Sequence, residues 1–67
     1  MEFRDLEEIF RVEHKTDGDK LVNGLQVIRN KKTEQTIVSI RIGGLPFEIV
    51  ISQEETIKLK EQLNKHY

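Results

Sequence analysis

The chain of 67 residues has no cysteine. Disulfides and thiolate metal sites are thereby excluded, and the cytosol is the default compartment. No apolar run approaches the roughly 18 residues that a membrane-crossing helix needs, so no membrane partner is expected. The first residues are acidic and polar, unlike a secretory signal, which again points to a cytoplasmic protein. There are two histidines, His14 and His66, and no H-x-x-x-H or H-E-x-x-H spacing. Lone histidines seldom hold a transition metal, so both read as surface residues and no metal is expected. The two serines are Ser39 and Ser52, with no G-x-S-x-G around either. A nucleophile needs a neighbouring base, and neither serine has one in its motif. No catalytic residue is assigned, no cofactor is expected, and the chain is not read as an enzyme.

Alanine and tryptophan are also missing. Apolar residues make up 36% of the chain and charged ones 34%. Isoleucine and valine supply thirteen of the twenty-four apolar residues, which favours sheet. A chain this short buries only about 60% of its unfolded surface, and so small a core gains from oligomerising. A homodimer is therefore expected. The lack of alanine beside abundant isoleucine, lysine, glutamate and asparagine suggests an AT-rich genome, such as that of a low-GC bacterium or of its phage or plasmid.

A basic balance is lacking as well. The net charge is −1. Residues 1–23 carry seven acidic and four basic side chains, or −3; residues 24–51 carry four basic and two acidic, or +2; residues 52–67 balance at three each. That is far from the footprint of a typical nucleic-acid binder.

What is present is clearest over residues 36–63. Gly43-Gly44 suits a two-residue hairpin turn, because glycine reaches positive φ without a steric penalty. The turn pairs Ile42 with Leu45, Ile40 with Phe47, Val38 with Ile49, and Thr36 with Ile51. Alternation along the strands then gathers Val38, Ile40, Ile42, Leu45, Phe47, Ile49 and Ile51 on one face, the expected core. The other face carries Ile37, Ser39, Arg41, Pro46, Glu48 and Val50 and reads as the solvated one, with Ile37 opposite Val50 as its odd apolar pair. Ser52-Gln-Glu-Glu55 is a capping box that opens a helix over about 53–65. Thr56, Leu59, Leu63 and Tyr67 form its apolar stripe, and Leu59 and Leu63 are expected on the hairpin's core face.

Phe3, Leu6, Ile9 and Phe10 recur at helical spacing, with Glu2, Asp5, Glu7 and Glu8 between them, so a first helix is expected over about 2–11. A rival strand starts near Ile9, because Phe10, Val12 and His14 also alternate. Residues 16–19 and the pair Asn23-Gly24 read as turns, with Leu21 and Val22 anchoring the connection between them. A strand follows over about 25–29, then a polar loop over 30–34. The expectation is one α+β domain over 1–67. Its small antiparallel sheet has three strands (about 25–29, 36–42 and 45–51), with residues 10–15 as the candidate for a fourth. An N-terminal and a C-terminal helix lie on one face, in the order α-β-β-β-α.

The function expected from this layout is a small non-catalytic protein-binding module of regulatory, accessory or inhibitory type. It would bind a protein partner or itself through the open sheet face (Ile37, Arg41, Glu48 and Val50) or through the acidic helix (Glu7 and Glu8). The alternative is single-stranded nucleic-acid binding by Arg29, Lys31, Lys32 and Arg41, the one basic group, which Lys20 would join if the turns cluster. Strands followed by a helix opening Ser-x-Glu-Glu form an order similar to that of the PC4-like single-strand-binding domains. That likeness covers residues 36–63 and lacks their positive charge, so no family is assigned on it.

Overall fold

The computed structural model describes residues 3–15, 18 and 22–67. A single 3-10 turn, Phe3–Asp5, leads into four strands and one helix. The strands are β1 (Leu6–Lys15), β2 (Val22–Asn30), β3 (Thr36–Ile42) and β4 (Leu45–Ile51), and the helix is α1 (Gln53–His66). The sheet is antiparallel with its strands in chain order. The order is therefore β-β-β-β-α, which corrects the expected α-β-β-β-α.

The N-terminal helix over 2–11 does not exist, and the reason is a β-bulge. In β1, Glu8 pairs with Ile28 while Phe10 pairs with Val27, so Ile9 is one residue extra. Such an insertion shifts the phase of the alternation. Before it, Leu6 and Glu8 share a face; after it, Phe10 and Val12 take the other. A two-residue period interrupted once spaces Leu6, Ile9 and Phe10 like a helix. The rival strand reading of 10–15 is the correct one, and the strand begins four residues sooner.

The β3–β4 hairpin has the expected register throughout, from Thr36 with Ile51 to Ile42 with Leu45. Gly43 and Gly44 sit at φ 58° and 82°, as a hairpin turn twisted with its strands requires. Asn23-Gly24 is not a turn but part of β2, which runs from Val22 rather than 25. Gly24 lies between Glu13 of β1 and Arg41 of β3. A Cβ on Gly24 would come within 2.8 Å of the Val12 carbonyl oxygen, so the glycine is there for close strand approach. The side chain of Asn23 caps the neighbouring hairpin, accepting from the Gly43 N–H at 2.7 Å. The turn expected over 16–19 and the anchor at Leu21 lie outside the described residues apart from Gly18, whose φ is 70°.

Residues 30–35 close the β2–β3 hairpin around one buried polar side chain. Asn30 is buried, and its Oδ1 accepts from the N–H groups of Lys32 at 3.0 Å and Thr33 at 3.3 Å. The Lys31 N–H donates to the Asp5 carbonyl at 2.7 Å, tying the 3-10 turn to this loop. Glu34 takes the left-handed conformation at φ 63° and accepts two bonds from the Arg29 guanidinium, at 2.6 and 2.9 Å.

Ser52, the single residue between β4 and α1, caps the helix as expected. Its hydroxyl accepts from the Glu55 N–H, and its own N–H donates to Glu55 Oε1 at 2.8 Å. The helix does not cover the sheet. Leu59 and Leu63 remain 47% and 49% exposed, and α1 holds no buried residue. Contact between elements is concentrated in the three strand pairs. The molecule is flat, 40 × 34 × 15 Å, with a radius of gyration of 13.7 Å. A compact chain of this length would measure about 11 Å.

Candidate interaction surface

The pairing sorts side chains into two faces that run across all four strands. The first carries Phe10 and Val12 of β1, Leu25 and Val27 of β2, Val38, Ile40 and Ile42 of β3, and Leu45, Phe47, Ile49 and Ile51 of β4. Each strand contributes only apolar side chains over its central positions, so the face is a continuous hydrophobic plate. Its hairpin members, from Val38 to Ile51, were expected to be the core. Instead Phe10, Ile40, Ile42, Leu45, Phe47 and Ile49 are 39–63% exposed. Taking roughly 180 Å² for each large apolar residue, these six leave on the order of 600 Å² open. Solitary soluble chains rarely show so large a patch unless something binds it.

The second face carries Glu8, Arg11 and Glu13, then Gln26, Ile28, Ile37, Ser39, Arg41, Glu48 and Val50. Arg11 approaches Glu13 at 3.3 Å and Glu8 at 3.8 Å, both in solvent. Beside the side-chain-free Gly24, a shallow depression opens between Arg11, Glu13, Gln26, Ser39 and Arg41. It lies within a polar, charged surface of the kind expected of a solvated sheet face.

The residues singled out from the sequence are scattered by this arrangement. Ile37, expected on an open binding face, is the one buried apolar residue among those described, at 8% exposure. The register sets it between Ile28 and Val50, with Leu6 diagonal to Ile28. Val50 itself stays 51% exposed, and Arg41 and Glu48 are exposed nearby on the same face. Glu7 and Glu8 point to opposite faces, opposite Arg29 and Ile28, so they form no acidic helix surface. Of the basic group, Lys31 and Lys32 lie exposed in the β2–β3 loop, and Arg29 beside them is bonded to Glu34. Arg41 lies on the opposite face, five residues along β3 from Arg29's partner Thr36, or about 17 Å away. The four do not line one groove. Lys20 lies outside the described residues. Phe47, read from the sequence as core, is exposed on the apolar plate, as is Phe10.

His14 and His66 are both exposed. Among the described residues no three histidine, aspartate or glutamate side chains gather as a metal site would need. No helix among them is long and apolar enough to cross a membrane.

The plate could have been suspected from residues 36–51, whose alternation names seven of its members. Its continuation through Phe10 was hidden by the helix expected over 2–11, whereas Leu25 and Val27 lie in the strand expected over about 25–29 and Val12 in the candidate fourth strand. No family model matches the chain, and neither curated proteins nor solved structures show significant similarity to it.

Proposed function

We propose that this chain is a protein-association module of accessory, regulatory or inhibitory type, without catalysis of its own, and that it works through the apolar plate of β1–β4. The observation that carries the reading is the mismatch between the two faces. One described apolar residue is buried, while six large ones on a single face stand open. Hydrophobic surface is worth about 25 cal/mol per Å² when removed from water, so a plate of this size favours a partner strongly. The contact surface thus moves from the Ile37 and Val50 side to the opposite side of the sheet.

The test replaces Ile40→Lys and Phe47→Lys together and follows sedimentation and protein capture. A control pair on the second face, Ser39→Lys with Glu48→Gln, adds the same charge. The reading expects association to be lost in the first pair and kept in the second. Equal behaviour of both pairs overturns it.

A further inference from the structure

We infer that the occupant of the apolar plate is helix α1 of a second copy of this chain, each copy laying its helix across the other's sheet about a two-fold axis. The inference rests on the association reading above and names the partner of that same surface.

Among the described residues, two apolar elements stand open in one chain. One is the plate; the other is the stripe of Leu59 and Leu63 on α1. They match in kind and in size. Fourteen residues of helix extend about 21 Å at 1.5 Å per residue. The seven-residue strands β3 and β4 extend about 23 Å, and four strands span about 14 Å between the outer two.

The helix meets its own plate only at the rim, where Thr56 reaches Thr36 on the face of Val38 and Ile51; beyond that turn Leu59 and Leu63 stay 47% and 49% exposed. Its exit is fixed. Only Ser52 separates β4 from α1, and both halves of the capping box hold that residue. The first turn is then fastened by the Thr36–Thr56 hydroxyl contact at 2.7 Å. With Ser52 as the single connecting residue and the first turn held at Thr36, α1 has no loop on which to swing further across its own sheet. A short connection that prevents closure within one chain favours exchange between two.

A second copy also answers the need for constancy. Among the described residues Ile37 is the one buried apolar residue, so a partner present whenever the chain is folded would add the interior that a single copy lacks. An identical copy meets that condition without any other protein. The plate and the stripe of one copy together expose on the order of 800 Å², which is what each partner of a standard stable interface buries. A net charge of −1 per copy adds little repulsion.

The experiment uses the unaltered full-length chain. Sedimentation equilibrium between 1 and 100 μM gives the mass, and an isotope-filtered NOE spectrum of mixed labelled and unlabelled chain gives the contacts. The inference expects twice the chain mass, with intermolecular NOEs from Leu59 and Leu63 methyls to Ile40, Phe47 and Ile49. Two results overturn it: a folded monomer throughout that range, or an oligomer in which those helix–sheet NOEs arise only within one chain or are missing. The association reading is separable from this outcome. If the chain is a monomer yet Ile40→Lys with Phe47→Lys abolishes capture of another protein, the second copy is excluded and the plate remains a binding surface. If capture is also unaffected, both fall.

Discussion

The hydroxyl oxygens of Thr36 and Thr56 lie 2.7 Å apart and join the start of β3 to the first turn of α1. Thr56 already gives its hydrogen to the Ser52 carbonyl, at 2.8 Å. A hydroxyl has one hydrogen, so Thr36 is the donor to Thr56. Thr36 is almost wholly buried, 4% exposed, and Thr56 is half-buried. The two partners are therefore not equivalent.

Removing either hydroxyl should reveal that asymmetry. Thr36→Val removes the donor and leaves an acceptor on Thr56 that water can reach, so the loss should be about 1 kcal/mol. Thr56→Val strands a donor on the buried Thr36 and should cost more, in the range of about 1–3 kcal/mol. The double variant should cost less than the sum of the two. Urea denaturation of the three variants measures the order; equal single costs would remove the asymmetry, and a double variant that costs the full sum would mean that the contact contributes nothing in solution.

The glycines separate two physical reasons for the same residue. Gly43 is in open space at φ 58°, with nothing within 4 Å of an added Cβ. Gly43→Ala should cost about 1–2 kcal/mol from backbone conformation alone. Gly43→Asn should cost less, because asparagine tolerates that region. Gly24→Ala faces instead the Val12 carbonyl at 2.8 Å, a backbone atom that cannot rotate away. Its cost should be of similar size, about 1–3 kcal/mol, but it should localise. Hydrogen exchange ought to quicken along β1 and spare the β3–β4 hairpin, and unchanged protection in β1 would contradict the steric reading.

Those elements also mark how far the sequence could be read. The hairpin over 36–51 was legible to the residue because the Gly43-Gly44 turn fixes register, and the cap at Ser52 was legible because its pattern is local. β1 was not, since the extra residue Ile9 broke the alternation that identifies a strand. Asn23-Gly24 was misread for a related reason. The pair carries a turn signature, yet Gly24 answers to the closeness of Val12 across the strand, a non-local fact. The sorting into interior and exterior failed at a different level. The register put Val38, Ile40, Phe47 and Ile49 on one face correctly, but among the described residues nothing covers most of that face. Periodicity states which residues share a side, not whether that side is closed.

The capping box supplies a pH dependence with a definite sign. The Ser52 backbone N–H, and then the Ser52 side chain, hold the Glu55 carboxyl below its ordinary value, with Lys58 adding a smaller pull in the same direction. A carboxyl lowered by folding contributes stability above its unfolded value, about 4.3. That contribution fades as pH falls from there through the lowered folded value. Glu55→Gln can still accept from Ser52 but does not titrate. Its helicity and stability should depend less on pH over that acidic window than those of the unaltered chain. Parallel profiles for the two would remove Glu55 as the cause.

The dispersal of the basic residues makes a prediction about nucleic acid. Arg29 is committed to Glu34, and Arg41 lies on the other face near the opposite end of the sheet. Single-stranded nucleic acid is held by a continuous positive groove with aromatic platforms, and none runs along these four positions. Gel-shift titration with single-stranded DNA in low salt should give no complex at micromolar protein. A complex whose affinity falls steeply with salt, and is lost in Lys31→Glu with Lys32→Glu, would restore the nucleic-acid reading.

Thermal unfolding provides the broadest check on the shared core. If folding and association are one event, mass action ties the midpoint to protein concentration, because dilution favours the separated, unfolded chains. A fold complete within one chain would melt at the same temperature at any concentration. Here the plate and the helix stripe are open in the single chain, and Ile37, 8% exposed, is the only buried apolar residue among those described. The melting midpoint should therefore rise steadily between 1 and 100 μM, by several degrees over the hundredfold range. Leu59→Lys with Leu63→Lys should flatten or abolish the transition, whereas Ser39→Lys with Glu48→Gln should keep the concentration dependence. A midpoint independent of concentration, measured by circular dichroism on the unaltered chain, would mean that the fold is complete within one molecule and that the second copy is not needed for it.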